Sequence, residues 1–355
     1  MQSILDAPST SDALDSSRLI GRIAGLPEQV ESAWAAGRGL DLPASFSDVD
    51  RIAVLGMGGS GIGGRLLQAL AIDLCVRLPI VTVRDYSLPG HVDSRSLVIA
   101  SSNSGNTEET IAAFQQAIDA GARCVVLTTG GRLAEMANAR GVPALLYEWH
   151  GEPRSALGWS FASLLGIGTR LGLLPDLTAD VHGATMQMRA VGASLAFDAP
   201  EQDNAAKQLA RRLYRRVPMI VGAGALAPVA YRWRTQINEN AKSWAIADEL
   251  PEMNHNAHVG FGLPMPARSL MHAVLLRHDA MHARNRLRVE ATCEEMQRAG
   301  VSAEILEVPG PSVLAQALCA IHFGDFVSYY LGLLNNVEPA PVSSLESLKA
   351  RLASL

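Results

Sequence analysis

Hydroxyls and amides crowd the segment Ser101-Ser102-Asn103-Ser104-Gly105-Asn106-Thr107. It follows the apolar run Ser96-Leu97-Val98-Ile99-Ala100, and residues from Thr107 onward have helical spacing. Such a cluster at the carboxyl end of a strand, where a helix begins, suits a phosphate. The first helical N–H groups are unpaired and carry partial positive charge. Ser102, Ser104 and Thr107 would add hydroxyl donors around the phosphate oxygens. No lysine or arginine lies in the loop, so the expected guest is a small phosphate ester held by dipoles. The plain alternative is a helix cap within a serine-rich turn.

Proton chemistry has its own candidates. Glu239 lies in Asn238-Glu239-Asn240-Ala241-Lys242, among amides and one ammonium. His255 lies in Pro251-Glu252-Met253-Asn254-His255-Asn256-Ala257-His258-Val259-Gly260. This is a loop between a proline and a glycine, where an imidazole can move protons near neutral pH. His258 competes for any role given to His255. No third ligand stands at diagnostic spacing from these groups, so no metal is expected. Arg154 sits between Pro153 and an apolar helix, either projecting into a cleft as an electrophilic stabiliser or lying on the surface of a first turn.

A glycine-rich stretch, Gly56-Met57-Gly58-Gly59-Ser60-Gly61, follows the first strand and satisfies GxGxxG. Asp85 ends the next strand at the spacing of a ribose-binding acid, so a dinucleotide fold is a serious reading. The other reading is a backbone able to approach a sugar phosphate, with Gly59 and Ser60 in contact with it. The serine loop alongside favours the second, because a nicotinamide enzyme needs no further phosphate cradle.

The elements that must position these groups alternate. Strands are expected at Ile52–Gly56, Ile80–Arg84, Leu97–Ser101, Cys124–Thr128 and Ala144–Tyr147, with helices at Ile62–Ile72, Thr107–Ala120 and Arg132–Ala139. Ser17 to Arg38 reads as one preceding helix, and Ser155 to Leu173 and Ala179 to Phe197 as connecting helices. A second pass has strands at Val217–Val221, Leu270–Leu276 and Ala303–Val308. Its helices are Pro228 to Lys242, Arg284–Ala299, Ser312–Leu334 and a terminal Val342–Leu352. Strands apolar throughout, separated by helices, indicate parallel sheets covered on both faces. The fold class is therefore α/β, with two doubly wound parallel-sheet domains joined by helices. The divisions are an N-terminal helical segment (1–45), a first domain (46–154), connecting helices (155–200), a second domain (201–338) and a C-terminal helix (339–355).

A chain of 355 residues, 48% of them hydrophobic, can bury two cores. Its net charge of −5 argues against nucleic acid recruited by bulk charge. Cys75, Cys124, Cys293 and Cys319 have neither CxxC nor Cys/His ligand spacing, so neither disulfides nor zinc are expected. A polar, acidic start unlike a secretory signal and the lack of any apolar run of membrane-spanning length complete the expectation of a cytoplasmic protein. Lysine occurs only at Lys207, Lys242 and Lys349 among 30 basic residues. Positions that stayed lysine are candidates for needing an ammonium rather than a guanidinium.

Taken together, Gly56–Gly64, Asp85–Pro89, Ser102–Thr107, Pro153–Ser160, Asn238–Lys242 and Pro251–Gly260 resemble the SIS phosphosugar-isomerase superfamily. Within it they resemble the bifunctional phosphoglucose/phosphomannose isomerase family, from about Arg51 to the C-terminus. The resemblance implies two SIS-type domains and an aldose–ketose isomerase of hexose 6-phosphates that works without cofactor or metal. Gly59, Ser60, Ser102, Ser104 and Thr107 would bind substrate and its phosphate. Glu239 would shuttle a proton between C2 and C1 through a cis-enediol, and Arg154 would stabilise the enediolate. His255, supplied across a homodimer interface, and Lys349 would assist ring opening. Ala257 stands where an acidic residue is expected, Ser155 where an aromatic is frequent, and Val342 where a small hydroxyl accompanies mannose-phosphate activity. Two other functions stand beside this one: a non-catalytic phosphosugar sensor, and an NAD(P)-dependent oxidoreductase built on Gly56–Gly61 and Asp85.

Overall fold

The computed structural model describes residues 3–352; the remaining residues of the two terminal segments lie outside it. Three helices open the chain: α1 (Pro8–Leu14), α2 (Leu19–Ala24) and α3 (Leu26–Gly39). The first half follows as β1 (Arg51–Leu55), α4 (Gly58–Asp73), β2 (Ile80–Val83), β3 (Ser96–Ser102), α5 (Glu108–Asp119), β4 (Arg123–Thr128), α6 (Gly131–Arg140) and β5 (Ala144–Leu146). Connecting helices are α7 (Leu157–Arg170), α8 (Thr178–Leu195) and α9 (Ala205–Leu213). The second half comprises β6 (Val217–Ala223), α10 (Leu226–Asn240), β7 (Ile246–Leu250), α11 (Met265–Leu270), β8 (Met271–Arg277), α12 (Ala283–Arg298), β9 (Ser302–Glu307), α13 (Val313–Leu334) and α14 (Ser343–Leu352).

Both sheets are parallel, in the orders β2-β1-β3-β4-β5 and β7-β6-β8-β9. The apolar strands of the first sheet serve two cores. Ala53, Leu55, Val98, Ala100 and Val126 pack with Phe114 and Leu133 of α5 and α6. Ile52, Val54, Leu97, Ile99 and Val125 join the large core that runs on through α7 into the second half. Burial on both faces is why these strands read as continuous apolar runs. In the first sheet the strand order reverses between β1 and β3, which opens a crevice at their carboxyl ends. The glycine stretch and the serine loop both emerge there.

The structure departs from the sequence expectations in specific ways. The single helix expected from Ser17 to Arg38 is two, with the break at Gly25, whose N–H donates to the Gly21 carbonyl and which precedes Pro27 in the first turn of α3. Helix α1 and helix α9, which is capped by the Asn204 side chain on the N–H groups of Ala206 and Lys207, were not anticipated. Neither was β7, an edge strand whose Asp248 and Glu249 hide the apolar signal. Helix α4 begins at Gly58, inside the glycine stretch, rather than at Ile62. One apolar run does reach membrane-spanning length: α13, 22 residues long. It is the central core helix, packed against α8, α9 and α10, and 94% of its most apolar window is buried.

Lys207 shows what one retained lysine does. It is fully buried, and its ammonium donates to Asp6 Oδ1 (3.0 Å) and to the carbonyls of Phe197 (2.7 Å) and Ala199 (2.8 Å). Three donors meet three acceptors in a compact arrangement that a planar guanidinium would not reproduce.

Candidate active site

The serine loop is an organised structure at the β1/β3 crevice. Ser102, at the buried end of β3, has its Oγ 2.9 Å from Thr107 Oγ1 and accepts the Gly105 N–H at 3.1 Å. Ser104 is exposed, and its Oγ accepts the Asn106 N–H at 3.2 Å. Thr107 occupies the cap position of α5, yet its side chain makes no capping bond. The helix-start N–H groups therefore remain available to a ligand, and the plain capping role does not hold. Gly105 has φ +67°, and a Cβ there would lie 1.8 Å from the carbonyl oxygen of Gly130, so only glycine fits this turn.

Ser60, in the first turn of α4, accepts the Asn103 N–H at 3.2 Å and so ties the glycine stretch to the serine loop. Gly59 has a different neighbour. A Cβ on it would stand 2.7 Å from the Pro153 carbonyl oxygen and 2.9 Å from Arg154 Cα. Ser160, on α7, donates to the Gly59 carbonyl at 3.0 Å. The flank of Gly59 is thus filled by this chain's own backbone, whereas Gly58, the second glycine of the GxGxxG pattern, has open space where a Cβ would stand. Asp85 is exposed, and its Oδ1 accepts the Tyr86 N–H at 2.7 Å, the geometry of a strand-ending turn.

Arg154 is not a surface residue. It lies in a short turn before α7, and its side chain is 5% exposed. Its Nε donates to Asn240 Oδ1 (2.7 Å), and its Nη2 to the carbonyls of Pro339 (2.9 Å) and Ala340 (2.7 Å). The remaining Nη1 faces Glu239 Oε2 at 3.4 Å. Burial pushes the pKa of the guanidinium below the ordinary arginine value, and the Glu239 carboxylate opposes that push. Asn240 is itself fully buried and donates to Ser328 Oγ at 2.9 Å, which fixes the orientation of the amide.

Glu239, in the last turn of α10, is 30% exposed and stands between two cavities. A small one of about 60 Å³ reaches Gly58, Gly59, Arg154 and Gln236. A groove of about 750 Å³ runs past Lys242, Trp244 and the segment from Val337 to Leu345. In the sequence Lys242 is a retained lysine and the one ammonium near Glu239. Here it has φ +51°, and its ammonium donates to the carbonyls of Glu239 (2.6 Å) and Pro339 (2.8 Å). Burial, reinforced by the Arg154 charge, lowers its pKa from 10.5 to about 8. Sequence reasoning also missed Tyr231 on α10, whose ring carries Arg65 (4.4 Å), Arg234 (4.5 Å) and Arg84 (5.8 Å) at the mouth of the small cavity.

Gly59, Arg154 and Glu239 meet at the small cavity, and Ser60 joins them, through the Asn103 N–H, to the loop that holds Ser102, Ser104 and Thr107. His255 and Lys349 are not part of this arrangement. His255 is exposed on the loop after β7, and Lys349 is exposed on α14, whose first residues Ser343, Ser344 and Leu345 line the groove. Neither touches either cavity beside Glu239 within this one copy.

Two parallel sheets, with a hydroxyl-lined crevice at the carboxyl end of the first and a carboxylate–guanidinium pair beside it, make up a SIS-type α/β protein. A solved structure of a hypothetical protein from Thermus thermophilus has the same fold at 19% identity, with a TM-score of 0.75 over 98% of this chain and 93% of its own. Residues 202–352 match the bacterial phospho-glucose isomerase C-terminal SIS domain. The chain is 37% identical to a bifunctional phosphoglucose/phosphomannose isomerase of Caldicellulosiruptor bescii, over 93% of this chain and 97% of that protein. It is 35% identical to a protein of the same name from Thermoplasma acidophilum, over 85% and 89%. The chain belongs to the bifunctional phosphoglucose/phosphomannose isomerase family.

Proposed function

We propose that this protein is an aldose–ketose isomerase that interconverts glucose 6-phosphate and fructose 6-phosphate. The observation that carries the reading is the pairing of Glu239 with a buried Arg154 in a cavity shared with Gly59. The phosphate sits on the start of α5, against Ser102, Ser104 and Thr107. Glu239 takes the C2 proton of the open-chain aldose and returns it to C1, while O1 gains a proton and the C2 hydroxyl gives one up. The negative charge that develops on the enediolate oxygens lies toward the Nη1 of Arg154, whose other nitrogens are already held and need no rearrangement.

His255 reaches the ring oxygen from a second copy of the chain. Its exposure here supports that reading, since within one copy it lies away from Glu239. Lys349 acts at the C1 hydroxyl, and the two together open the ring. The working assembly is then a homodimer, placed in the cytoplasm and in glycolysis and gluconeogenesis. Val342 lies in the groove beside Glu239, where its methyl groups replace a hydroxyl, so mannose 6-phosphate is the slower substrate.

The test is conversion of fructose 6-phosphate by the purified protein with EDTA and no nicotinamide, following both aldoses by NMR. Glucose 6-phosphate ahead of mannose 6-phosphate is the expected result. No conversion would overturn the proposal.

A further inference from the structure

Helices α2 and α3 carry none of the sequence motifs of the site, yet they grip the turn that presents Arg154 from both sides. Arg22, in the last turn of α2, meets Glu152 two residues before Arg154. Its Nη2 donates to both carboxylate oxygens (2.7 and 2.8 Å) and its Nε to Oε2 (3.2 Å), with the two side chains only 17% and 14% exposed. Burial resists ionisation of Glu152, but its own backbone N–H and the Arg22 charge outweigh that and keep its pKa below the ordinary carboxylate value. The Ser17 carbonyl and hydroxyl accept further N–H groups of Arg22, so its guanidinium is fixed in turn. Behind Arg154, Gln29 near the start of α3 is buried. Its Nε2 donates to the Ser155 carbonyl at 2.9 Å and its Oε1 accepts the Gly158 N–H. Both helices are anchored to the core. The Ile23 carbonyl of α2 lies 2.9 Å from Nε2 of the buried His322 on α13, and α3 lies backbone to backbone on α7, where a Cβ on Gly37 would stand 2.5 Å from the Ser163 carbonyl oxygen.

We infer that Arg22 and Gln29 are positioning residues for the Arg154 guanidinium. The bonds of Arg154 to Asn240, Pro339 and Ala340 tie its head to the second half of the chain. The main chain that carries it follows the first half, and Arg22 and Gln29 fix that end. With both ends held, Nη1 keeps one direction, toward Glu239 Oε2. Arg22 has a further effect through charge. Engaged by Arg22, the Glu152 carboxylate does not compete with Glu239 for the free edge of Arg154. Without Arg22 a part-buried carboxylate two residues from Arg154 loses its charged partner and draws that guanidinium toward itself. The catalytic consequence rests on the role proposed for Arg154; the brace itself does not.

The test reads Arg154 directly and then turnover, in the full chain. The 15N–1H signal of Arg154 Nε, assigned by its loss in Arg154→Lys, should exchange slowly with solvent in the native protein. Arg22→Met and Gln29→Met should each speed that exchange by about tenfold and lower kcat by about tenfold, with KM changed by less than about twofold. The double variant Arg22→Met/Glu152→Met removes the ion pair as a whole, so it should recover melting temperature lost in Arg22→Met while kcat stays low. Val289→Ala, a truncation in the buried face of α12, is the control: its melting temperature should fall with the Arg154 exchange and kcat unchanged. Unchanged exchange in either brace variant, exchange raised equally in Val289→Ala, or native kcat in the double variant would overturn the inference. If the protein converts no hexose phosphate, the proposed function fails while the exchange measurement still decides this one, so the two are told apart.

Discussion

Gly59 and Arg154 pack backbone to backbone: the position a Cβ would take on Gly59 lies 2.9 Å from Arg154 Cα. This contact sets the guanidinium relative to the β1/β3 crevice. Gly59→Ala should push the Pro153–Arg154 turn away and misplace the Arg154 charge. A displacement near ~1 Å costs on the order of 10²-fold in rate, so kcat should fall far more than thermal stability. Steady-state kinetics beside a thermal melt separates the two effects.

Glu239→Gln keeps the shape of the side chain and removes its ability to take a proton. Turnover should fall by about 10²–10⁴-fold, the usual contribution of a positioned general base. Substrate binding, measured by calorimetry, should stay nearly native. Normal turnover in this variant would show that another group is the base.

Two serines in one loop should behave differently. Ser104 is exposed, with its Oγ accepting the Asn106 N–H in the loop, so Ser104→Ala should raise KM roughly tenfold, by removing one hydrogen bond to a charged ligand, and lower the melting temperature only slightly. Ser102 is buried, with its Oγ bonded inside the loop. Ser102→Ala should therefore lower stability as well as affinity.

Lys242 should titrate near pH 8 rather than 10.5. Because its pKa is lowered by folding, the unfolded chain binds the extra proton between those values. Stability should thus rise with pH across that window, and the cost of the buried charge is fully present below it. Lys242→Met should remove an ionisation near 8 from the pH–rate profile. It should also flatten the alkaline rise in stability followed by urea unfolding.

Acid should unfold the protein partly through Glu304. Burial resists ionisation of this carboxyl, but hydrogen bonds from His272 (2.7 Å) and Arg212 (2.8 Å) outweigh it and hold the pKa at about 2 instead of 4.5. A depressed pKa stabilises the fold above the unfolded value and ceases to do so as pH falls through the folded one. Glu304→Gln should reduce the loss of stability between pH 4.5 and 2, as read from urea midpoints.

Much of this architecture was legible because its signals are local. Apolar strands covered on both faces announce a parallel sheet, and the Ser102–Thr107 loop carries its chemistry in consecutive residues. The edge strand β7 escaped because an edge tolerates Asp248 and Glu249, which break the apolar run. Helix α9 had a usable signal in the Asn204 cap. The fixing of Arg154 had none, since its partners lie 85 to 186 residues away. Lys242 was visible as a lysine kept where arginine is the rule, three residues from Glu239, but its left-handed backbone and its bonds to the Glu239 and Pro339 carbonyls emerge only on folding.

Arg154 gives two of its hydrogen bonds to the main-chain carbonyls of Pro339 and Ala340. Every residue type supplies that acceptor, so the bonds themselves fix the path of the segment and not its side chains; what limits the side chains is burial, since both positions are packed against the core. A small substitution at 340 should therefore leave Arg154 in place. A one-residue deletion there would be purged, because it slides both carbonyls out of reach of the guanidinium.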